Sequence, residues 1–302
     1  MRIGPFEVDE SVRELRNPHV ISTLRPWIDA GSVGKLVLTR LQERLGAQDV
    51  GSLARPGQFF DFTRYRPIVR GSADDRSITV PNTTLSAVRR TEEPDLLFLD
   101  MLEPHSNAED YVDSVLELLS TVGTKAFWRI GAWWGAVPHT RPLRVSHAVG
   151  GKRGDPKSGR PISQGAGYEG PTSIMSVVND DLEKLRISNN SLMLQLPHYA
   201  QLEEDYSAAA AVLETVSDIY GLASELEESI IGFRARGEPQ YAQLSDMVAG
   251  DPDMRALVQQ LEAAYDAEVA SAEDDTPPLS PEIERFLGEV TGKMDSGEGG
   301  DG

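Results

Sequence analysis

The motif V-P-H-T-R-P at 137–142 places an imidazole and a guanidinium two residues apart, in His139 and Arg141. An imidazole can act as a general base, and a guanidinium binds carboxylate or phosphate groups. The two prolines of the motif fix their own φ angles and push the residues before them towards extended backbone. Alternate side chains of an extended arm share a face, so we expect His139 and Arg141 to point one way and Thr140 the other.

Three histidines follow predicted strands, each directly after a proline: His105, His139 and His198. If those strands are parallel, the three side chains leave the same edge of a sheet, where open α/β sheets bind their ligands. Three histidines can hold a metal ion, and His139 or His198 can serve as a general base. Histidines that satisfy nearby backbone groups are commoner. The sequence therefore favours structural histidines and predicts no metal site.

A glycine-containing turn, D-A-G-S-V-G-K at 29–35, stands between a predicted strand and a predicted helix. Backbone N–H groups at Gly31, Ser32 and Gly34 could cradle an anion at the start of that helix. The spacing differs from that of nucleotide P-loops and of dinucleotide-binding turns. The favoured interpretation is close packing of helix on strand, with Ser32 as the helix N-cap, and an anion site is the alternative.

The remaining polar groups do not define a reaction. Asp100 and Glu103 end a buried strand, where a strand-end turn explains them better than a catalytic pair. The chain has no G-x-S-x-G motif, so Ser173 in G-P-T-S is interpreted as a helix cap rather than a nucleophile. Three arginines could together hold a carboxylate or phosphate, although positions on an interface or a sheet edge are favoured for them: Arg64, Arg66 and Arg141.

Alternating strand and helix patterns predict an α/β core between residues 18 and 202. The apolar run Leu96–Leu102 is typical of a strand buried on both faces, and the amphipathic stretch Ala108–Val122 predicts a helix that leads to the strand at 125–135. Other predicted strands are His19–Trp27, a segment around Val50, Phe59–Phe62, Pro67–Val69, Ile78–Val80, Leu85–Val88 and Ser191–Leu196, and other predicted helices are 33–45 and 171–186.

The C-terminal third carries the whole net charge of −19, since residues 200–302 hold 5 Lys and Arg against 24 Asp and Glu, whereas residues 1–199 hold 24 of each. This surface either keeps the protein soluble, which is favoured, or docks a basic partner. The pattern predicts a long helix over 203–230 and further helices over 251–269 and 281–290. The predicted regions are an N-terminal extension at 1–17, the core at 18–202, an acidic helical region at 203–291 and a disordered tail at 292–302.

Composition narrows the classes of function. The absence of cysteine excludes disulfides and thiolate chemistry. No apolar leader or membrane-spanning run occurs, so we expect a cytoplasmic protein without membrane contact. The excess of acidic residues argues against nucleic-acid binding. Only four basic residues, in the predicted loop at 149–170, favour it. That loop is either a surface excursion, which is favoured, or a lid. The basic residues are Lys152, Arg153, Lys157 and Arg160.

Several sequence blocks together resemble the proteasome assembly chaperone 2 family, in its bacterial branch. V-P-H-T-R-P combined with a downstream P-H-Y is the most specific part of the resemblance, which spans residues 18–270. The blocks are W-I-D-A-G-S-V-G-K at 27–35, F-F-D-F-T-R-Y-R-P at 59–67, V-P-H-T-R-P at 137–142, G-P-T-S at 170–173, L-P-H-Y at 196–199 and L-E-A-A-Y-D at 261–266.

The resemblance implies a three-layer α/β/α core similar to the phosphorylase/nucleosidase fold, a helical C-terminal appendage, and assembly as a homo-oligomer such as a trimer. Members in archaea and eukaryotes help to assemble the proteasome core particle, some of them through a C-terminal hydrophobic–tyrosine–any-residue tail. The chain ends E-G-G-D-G, so contact with proteasome subunits through such a tail is not expected. Family labels also mention ATP-grasp or carboxylate–amine ligase activity. The sequence has no phosphate loop or metal-binding carboxylate set, and no cofactor is expected.

Two functional hypotheses follow. The leading one is an oligomeric protein-interaction or assembly-chaperone-like module without catalysis. The alternative is a small-molecule enzyme or binder, ATP-grasp/ligase-like or phosphorylase-like, with an anion site at the edge of the sheet. The candidate ligand or interface residues are His139, Thr140, Arg141, His198, Tyr199, Gly31, Ser32, Gly34, Asp61, Arg66 and Ser173.

Overall fold

A mixed β-sheet with helices on both faces organises the chain. The computed structural model describes residues 1–72, 75–149, 152–154 and 172–274. The strands in these residues are β1 Arg2–Ile3, β2 Phe6–Val8, β3 His19–Arg25, β4 Gln48–Leu53, β5 Ile68–Arg70, β6 Ser77–Thr79, β7 Thr84–Val88, β8 Leu96–Leu102, β9 Ala126–Gly135, β10 Val145–Val149, β11 Lys152–Gly154 and β12 Ser188–Pro197. The helices are α1 Val33–Leu45, α2 Ala108–Val122, α3 Ile174–Leu182, α4 Tyr206–Tyr220, α5 Ala223–Gly250 and α6 Pro252–Asp274.

The four central strands run parallel in the spatial order β8, β3, β9, β12. Antiparallel pairing extends the sheet through β7, β4, β2 and β1 beyond β8, and through β10 and β11 beyond β12. Strands β5 and β6 form a separate two-stranded sheet. Because the parallel strands point the same way, their carboxyl ends share one edge of the sheet, which we call the rim. The strands reach the rim at Arg25, Leu102, Gly135 and Pro197.

Side chains alternate between the two faces of the sheet and feed two separate hydrophobic cores. On β8, Leu97 and Leu99 enter the core that α2 and α3 cover, whereas Phe98 enters the core that α1, α4 and the first half of α5 cover. Helices thus lie on both faces, as expected of a parallel sheet whose strands are apolar throughout. The helical region predicted from residue 203 begins inside this layered structure, because α4 is one of the covering helices.

Most predicted elements lie where the pattern put them, and the α/β class is confirmed. β8 and α2 have the predicted bounds, and β9 starts one residue later than predicted. Helix α1 ends at Leu45, and the following Gly46 has a φ of 66°, the left-handed conformation that favours glycine after a helix.

Two predictions were wrong. Residues 59–62 do not form a strand, because Phe59 and Phe60 follow a 3-10 helix at 56–58 and turn inward, where both rings pack edge-on against Tyr111. The helix predicted over 203–230 is divided, because Gly221 adopts a φ of 65° that ends α4, and α5 starts at Ala223. The sequence patterns also missed β1, β2, β10 and β11.

Some predicted segments are only partly covered. Of the loop predicted at 149–170, the structure describes Val149 and residues 152–154, which belong to the paired strands β10 and β11. The rest of that loop, the helix predicted at 281–290 and the tail at 292–302 lie outside the described residues. The chain divides into two compact units, 1–262 and 263–302. In the described residues, no helix combines the length and the apolar character that crossing a membrane requires.

Candidate functional site

The V-P-H-T-R-P motif leaves the rim at the end of β9 and turns at His139 and Thr140 instead of running on as an extended arm. The predicted alternation is therefore wrong. His139 points to one set of partners, and Thr140 and Arg141 converge on another. The turn brings residues 140 and 141 to the same side, which an extended backbone would not allow.

His139 is a buried link in a chain of hydrogen bonds between the rim and α5. Tyr199, just past β12, accepts the backbone N–H of His139 at 2.9 Å through its Oη, and this hydroxyl lies 2.7 Å from His139 Nδ1. His139 Nε2 lies 3.2 Å from Ser245 Oγ on α5. Ser245 Oγ in turn donates to the carbonyl oxygen of Tyr241 at 2.9 Å.

The donors in this chain assign the tautomer of the imidazole. Because the Tyr199 hydroxyl already accepts the backbone N–H, its own proton points to Nδ1, and Nε2 carries the ring proton that it donates to Ser245. Burial lowers the pKa of His139, against a weaker opposing effect of Glu262. The imidazole is therefore neutral at neutral pH and saturated with partners, which suits a structural histidine better than a general base.

Thr140 and Arg141 fasten the same turn to α6. Thr140 Oγ1 donates to Glu262 Oε1, and Arg141 Nη1 donates to the same oxygen at 3.1 Å. Glu262 and Arg141 are both partly shielded from water, with 25% and 31% of their side chains exposed. The guanidinium that the sequence offered to an anionic ligand thus pairs with a carboxylate of the chain itself.

Replacement of Tyr199 by phenylalanine tests the role of this chain of hydrogen bonds. The variant leaves a buried N–H and Nδ1 of His139 without the hydroxyl, so we expect the free energy of unfolding to fall by about 1–3 kcal/mol, measured by urea denaturation. The matched control is Tyr65→Phe, which removes one hydroxyl hydrogen bond, 3.1 Å long, to the carbonyl of Glu103. A smaller loss in Tyr199→Phe than in the control would contradict the assignment.

The parallel strands bring His105, His139 and His198 to the same rim, as the sequence predicted, but their rings have different partners. His105 Nδ1 accepts the backbone N–H of Asp61 at 3.1 Å, and its ring lies against Tyr65 with 4.4 Å between centroids. The exposed His198 places Nδ1 3.1 Å from the carbonyl oxygen of Gly135. Within the described residues, no three histidine or acidic side chains are arranged to hold a metal ion.

Asp29, which the sequence did not single out, occupies the start of α1. Its Oδ1 accepts the N–H groups of Gly34 at 2.6 Å and of Lys35 at 3.3 Å. These are donors that an anion would need, so the carboxylate stands where the alternative hypothesis put a ligand. Ser32 lies at the N-cap position but makes no capping bond; its Oγ donates to the carbonyl of Glu203 instead. The capping role predicted for Ser32 was wrong.

Both glycines of this turn are required by close packing, as the favoured interpretation had it. A Cβ on Gly34 would lie 2.2 Å from Thr23 Oγ1 and 2.9 Å from the backbone oxygen of Ile130. Gly31 has a φ of 58° and accepts the N–H of Asp205 at 2.8 Å. Asp205 caps α4, and its Oδ2 accepts a hydrogen bond of 2.9 Å from the hydroxyl of Tyr241. The turn thus joins α1, α4 and α5 at the rim.

The carboxylates Asp100 and Glu103 act separately. Arg25 holds Asp100 through three bonds of 2.9–3.0 Å across β3 and β8. Glu103 Oε1 accepts the N–H of Ile174 at 2.7 Å and so caps α3. Ser173 occupies the N-cap position of α3 without a side-chain bond, so the cap predicted for Ser173 belongs to Glu103.

The remaining candidates lie between the rim and the β5–β6 sheet. Asp61 caps its own turn by accepting the N–H and hydroxyl of Thr63, and these bonds lower the pKa of Asp61. Arg64 lies 4.0 Å from Asp61, and Arg66 is exposed. The three arginines considered together are thus found in different surroundings, since Arg141 pairs with Glu262.

The sequence reasoning missed Asp29, Ser245 and Glu262, and it also missed two exposed tryptophans at the rim. Trp27 follows β3 and Trp134 lies near the end of the neighbouring β9, and they are 52% and 40% exposed. The start of α1 offered a signal for Asp29, because an aspartate just before a helix is a common cap. Ser245 and Glu262 lie more than 100 residues from their partners, and local patterns carry no trace of such pairs.

The polar groups of the rim therefore fasten helices to the sheet, while two large aromatic rings remain in solvent. His139 and Arg141 are bonded to other side chains of the protein, and Asp100 is paired with Arg25. Asp61 and Glu103 serve as caps. Such an arrangement is suited to a rigid surface.

The fold has known relatives. At 21% identity, a protein of unknown function from Corynebacterium glutamicum aligns with 87% of this chain and 97% of its own, with a TM-score of 0.72. A proteasome-assembly chaperone homologue from Mycobacterium tuberculosis gives a TM-score of 0.66 at 21% identity, over 80% of this chain and 99% of its own. The archaeal proteasome activator PbaB of Pyrococcus furiosus gives 0.60 at 17% identity, over 80% and 97%. At these identities the likeness establishes the fold.

No curated protein sequence matches the chain. The sequence profile of the PAC2 family matches residues 23–232, which include the rim, both glycines of the turn, and His139 with its partner Tyr199. The resemblance identified from the sequence blocks is thereby confirmed: the chain belongs to the PAC2 family.

Proposed function

We propose that the protein is an oligomeric protein-interaction module of the assembly-chaperone type, with the rim as its contact surface. The observation that carries the proposal is the pair of exposed tryptophans, Trp27 and Trp134, at the ends of neighbouring parallel strands. Tryptophan is enriched among the residues that dominate binding energy at protein interfaces, because a rigid ring of this size removes much apolar area from water.

The rigidity of the rim supports this proposal. His139, Arg141 and Asp29 are each bonded to groups of the chain, so little ordering is needed when a partner binds. The names of two relatives, a proteasome-assembly chaperone homologue and a proteasome activator, suggest the class of partner. Proteasome core subunits are therefore the first partners to test.

Binding to proteasome core subunits should depend on the two tryptophans. We expect the immobilised full chain to retain core subunits of its own organism and the double variant Trp27→Ala/Trp134→Ala to bind them at least tenfold more weakly, a change of about 1.4 kcal/mol or more. Biolayer interferometry on purified subunits measures the dissociation constant, and circular dichroism checks that the variant is folded.

The matched control is Val177→Ala/Leu185→Ala, which truncates two side chains on and just after α3 that are 49% and 38% exposed. Equal weakening in the control and the tryptophan variant would remove the rim from the proposal. If the immobilised protein retains nothing but itself, both from purified core subunits and from whole-cell lysate, proteasome subunits are excluded as its partners.

We further propose a cytoplasmic homo-oligomer, with a trimer as the first expectation, and a core of the phosphorylase/nucleosidase-like kind. The sheet with helices on both faces supports the core assignment, and the resemblance within the family supports the oligomer. Light scattering of the purified chain measures the oligomer directly.

The alternative of an anion-binding enzyme requires Asp29 to release the N–H groups of Gly34 and Lys35. A thermal-shift screen with phosphate, nucleotides and carboxylates tests it, since a ligand that binds only the folded state raises the melting temperature. A rise that is lost in His139→Ala and Arg141→Ala would favour this alternative over the interaction module.

A further inference from the structure

The β5–β6 hairpin presents an apolar surface that the described part of the chain leaves exposed. All six residues of the two strands are exposed. The exposed fractions of Ile68, Val69 and Ile78 are 51%, 50% and 58%, and Val80, just past β6, is 39% exposed. An isolated two-stranded hairpin is marginally stable in water, so an apolar hairpin of this kind needs a cover.

The pairing register gathers three of these four side chains on one face, with Ile68 on the other. Val69 stands directly opposite Ile78, and Val80 follows Ile78 by two residues, so all three share a face. Val80 also lines a groove of about 700 Å³ together with Leu53, Pro56 and Phe62. The hairpin face and the groove therefore form one continuous docking surface, and a groove of this kind is suited to an amphipathic helix.

The charge around this surface is opposite to the charge of the chain as a whole. On and beside the hairpin, the exposed Arg66, Arg70 and Arg76 outnumber the one exposed carboxylate of the described hairpin residues, Asp75, in a protein whose net charge is −19. The partner that this surface fits is therefore an acidic helix with an apolar side chain on the same face.

The chain contains such a helix in α5. Glu227, Ile231, Ala235 and Glu238 recur at intervals of four, four and three residues, which places them on one helical face. All four are exposed, and Ile231 has 57% of its surface in solvent. Arg234 lies on the same face, but Glu214 pairs with it at 2.9 Å. The stripe therefore presents two carboxylates and an apolar centre to the arginines and apolar side chains of the hairpin.

A hairpin and an α5 stripe of the same molecule cannot meet. The segment that leads to the hairpin packs on the core beneath α2 through Phe59 and Phe60, whereas α5 packs on the opposite face of the sheet through Leu226 and Ile230. Contact between the two surfaces therefore requires two copies. Different surfaces on the two partners make a head-to-tail interface, which closes into a ring when its rotation allows.

We propose that the β5–β6 hairpin of one copy docks on the α5 stripe of a second copy. The inference rests on the homo-oligomer of the proposed function and names its contact. Its failure is distinguishable from failure of the proposed partner, because the tests below measure association of the chain with itself and contain no proteasome subunit.

The absence of cysteine allows a direct test by cross-linking. Ile78→Cys and Ile231→Cys are made as single variants with different affinity tags, co-expressed, and treated with oxidant or a short bismaleimide. We expect a covalent species of twice the 33.0 kDa chain mass that carries both tags. The control pair is Ile78→Cys with Val177→Cys, which should remain uncoupled.

The outcomes are decisive in either direction. Coupling of Ile78→Cys with itself would point to a hairpin–hairpin interface and overturn the proposal. Absence of coupling between the two variants, or coupling as strong in the control pair, would overturn it as well, and so would a wild-type protein that light scattering finds to be a single chain.

Charge reversal gives an independent measurement. We expect Arg70→Glu/Arg76→Glu to lower the mass from a multiple of 33.0 kDa towards one chain, and Glu227→Arg/Glu238→Arg in the same molecule to restore it. Arg13→Glu, an exposed change outside both surfaces, should leave the mass unaltered. Loss of association without restoration in the combined variant would contradict the pairing of these two surfaces.

Discussion

Replacement of Gly34 by alanine is expected to lower the free energy of unfolding by about 3 kcal/mol, at the upper end of the cost of overpacking a core. The new Cβ would stand 2.2 Å from Thr23 Oγ1 and 2.9 Å from the backbone oxygen of Ile130. Thr23 is fully buried in β3, and Ile130 belongs to β9. Neither strand can move without breaking its pairing, so α1 must shift outwards and lose contact with the sheet.

Urea denaturation of the wild type and the variant measures this loss. Gly232→Ala is a matched control, because a Cβ at Gly232 on α5 meets nothing within 4 Å, and alanine should stabilise the helix by up to about 1 kcal/mol. Unfolding of Gly34→Ala at the same urea concentration as the wild type would show that helix and strand are not closely packed at Gly34.

Replacement of Asp29 by asparagine is expected to stabilise the protein more at neutral than at acidic pH. Burial raises the pKa of Asp29 to about 6, against the lowering effects of the N–H groups of Lys35 and Gly34 and of the charge of Arg25. The folded state therefore holds this proton more tightly than the unfolded chain, in which the aspartate has its ordinary pKa of 3.8. Asparagine keeps an oxygen for the same N–H groups and has no charge to bury.

Proton linkage sets the direction of this pH dependence. The contribution of Asp29 to stability is fully present below pH 3.8 and is lost as the pH rises through about 6. The stability difference between Asp29→Asn and the wild type should therefore grow by about 3 kcal/mol across this window. Denaturation at a series of pH values between about 4 and 7.5 measures most of the change.

Asp61→Asn provides a control of opposite sign. Hydrogen bonds from Thr63 lower the pKa of the exposed Asp61, so the wild type should gain stability over this variant as the pH rises. A pH-independent difference between Asp29→Asn and the wild type would mean that the Asp29 carboxylate is hydrated rather than buried.

Gly34 and Asp29 also show how much of the structure can be predicted from local sequence. The close approach of helix and strand at Gly34 followed from two glycines at a strand-to-helix turn, and the structure bears it out. The role of Asp29 was missed because the same turn also fitted an anion from outside. The turn pattern indicates that backbone N–H groups at the start of the helix are free to donate hydrogen bonds. It does not indicate which acceptor they bind, because that depends on the conformation of the Asp29 side chain.

The His139 motif shows the same division. The prolines just after β9 and at the last residue of β12 correctly indicated two strand ends at one rim, since parallel strands expose their carboxyl ends together. The chemistry inferred for His139 and Arg141 depended on which side chains would face them. Ser245 and Glu262 come from helices that follow more than 100 residues later, and only packing of those helices on the sheet brings the partners together.

Local sequence was enough to predict the α/β class, the presence of the central strands, the bounds of β8 and α2, the rim, and the family. Those features rest on hydrophobic periodicity, on proline and glycine, and on short motifs, all of which act over a few residues. Three further features required the folded molecule: the rim is internally bonded, two tryptophans stand exposed beside it, and the described residues leave an apolar hairpin exposed. Each of these depends on contacts between distant segments, because a side chain is engaged or exposed according to what folds against it.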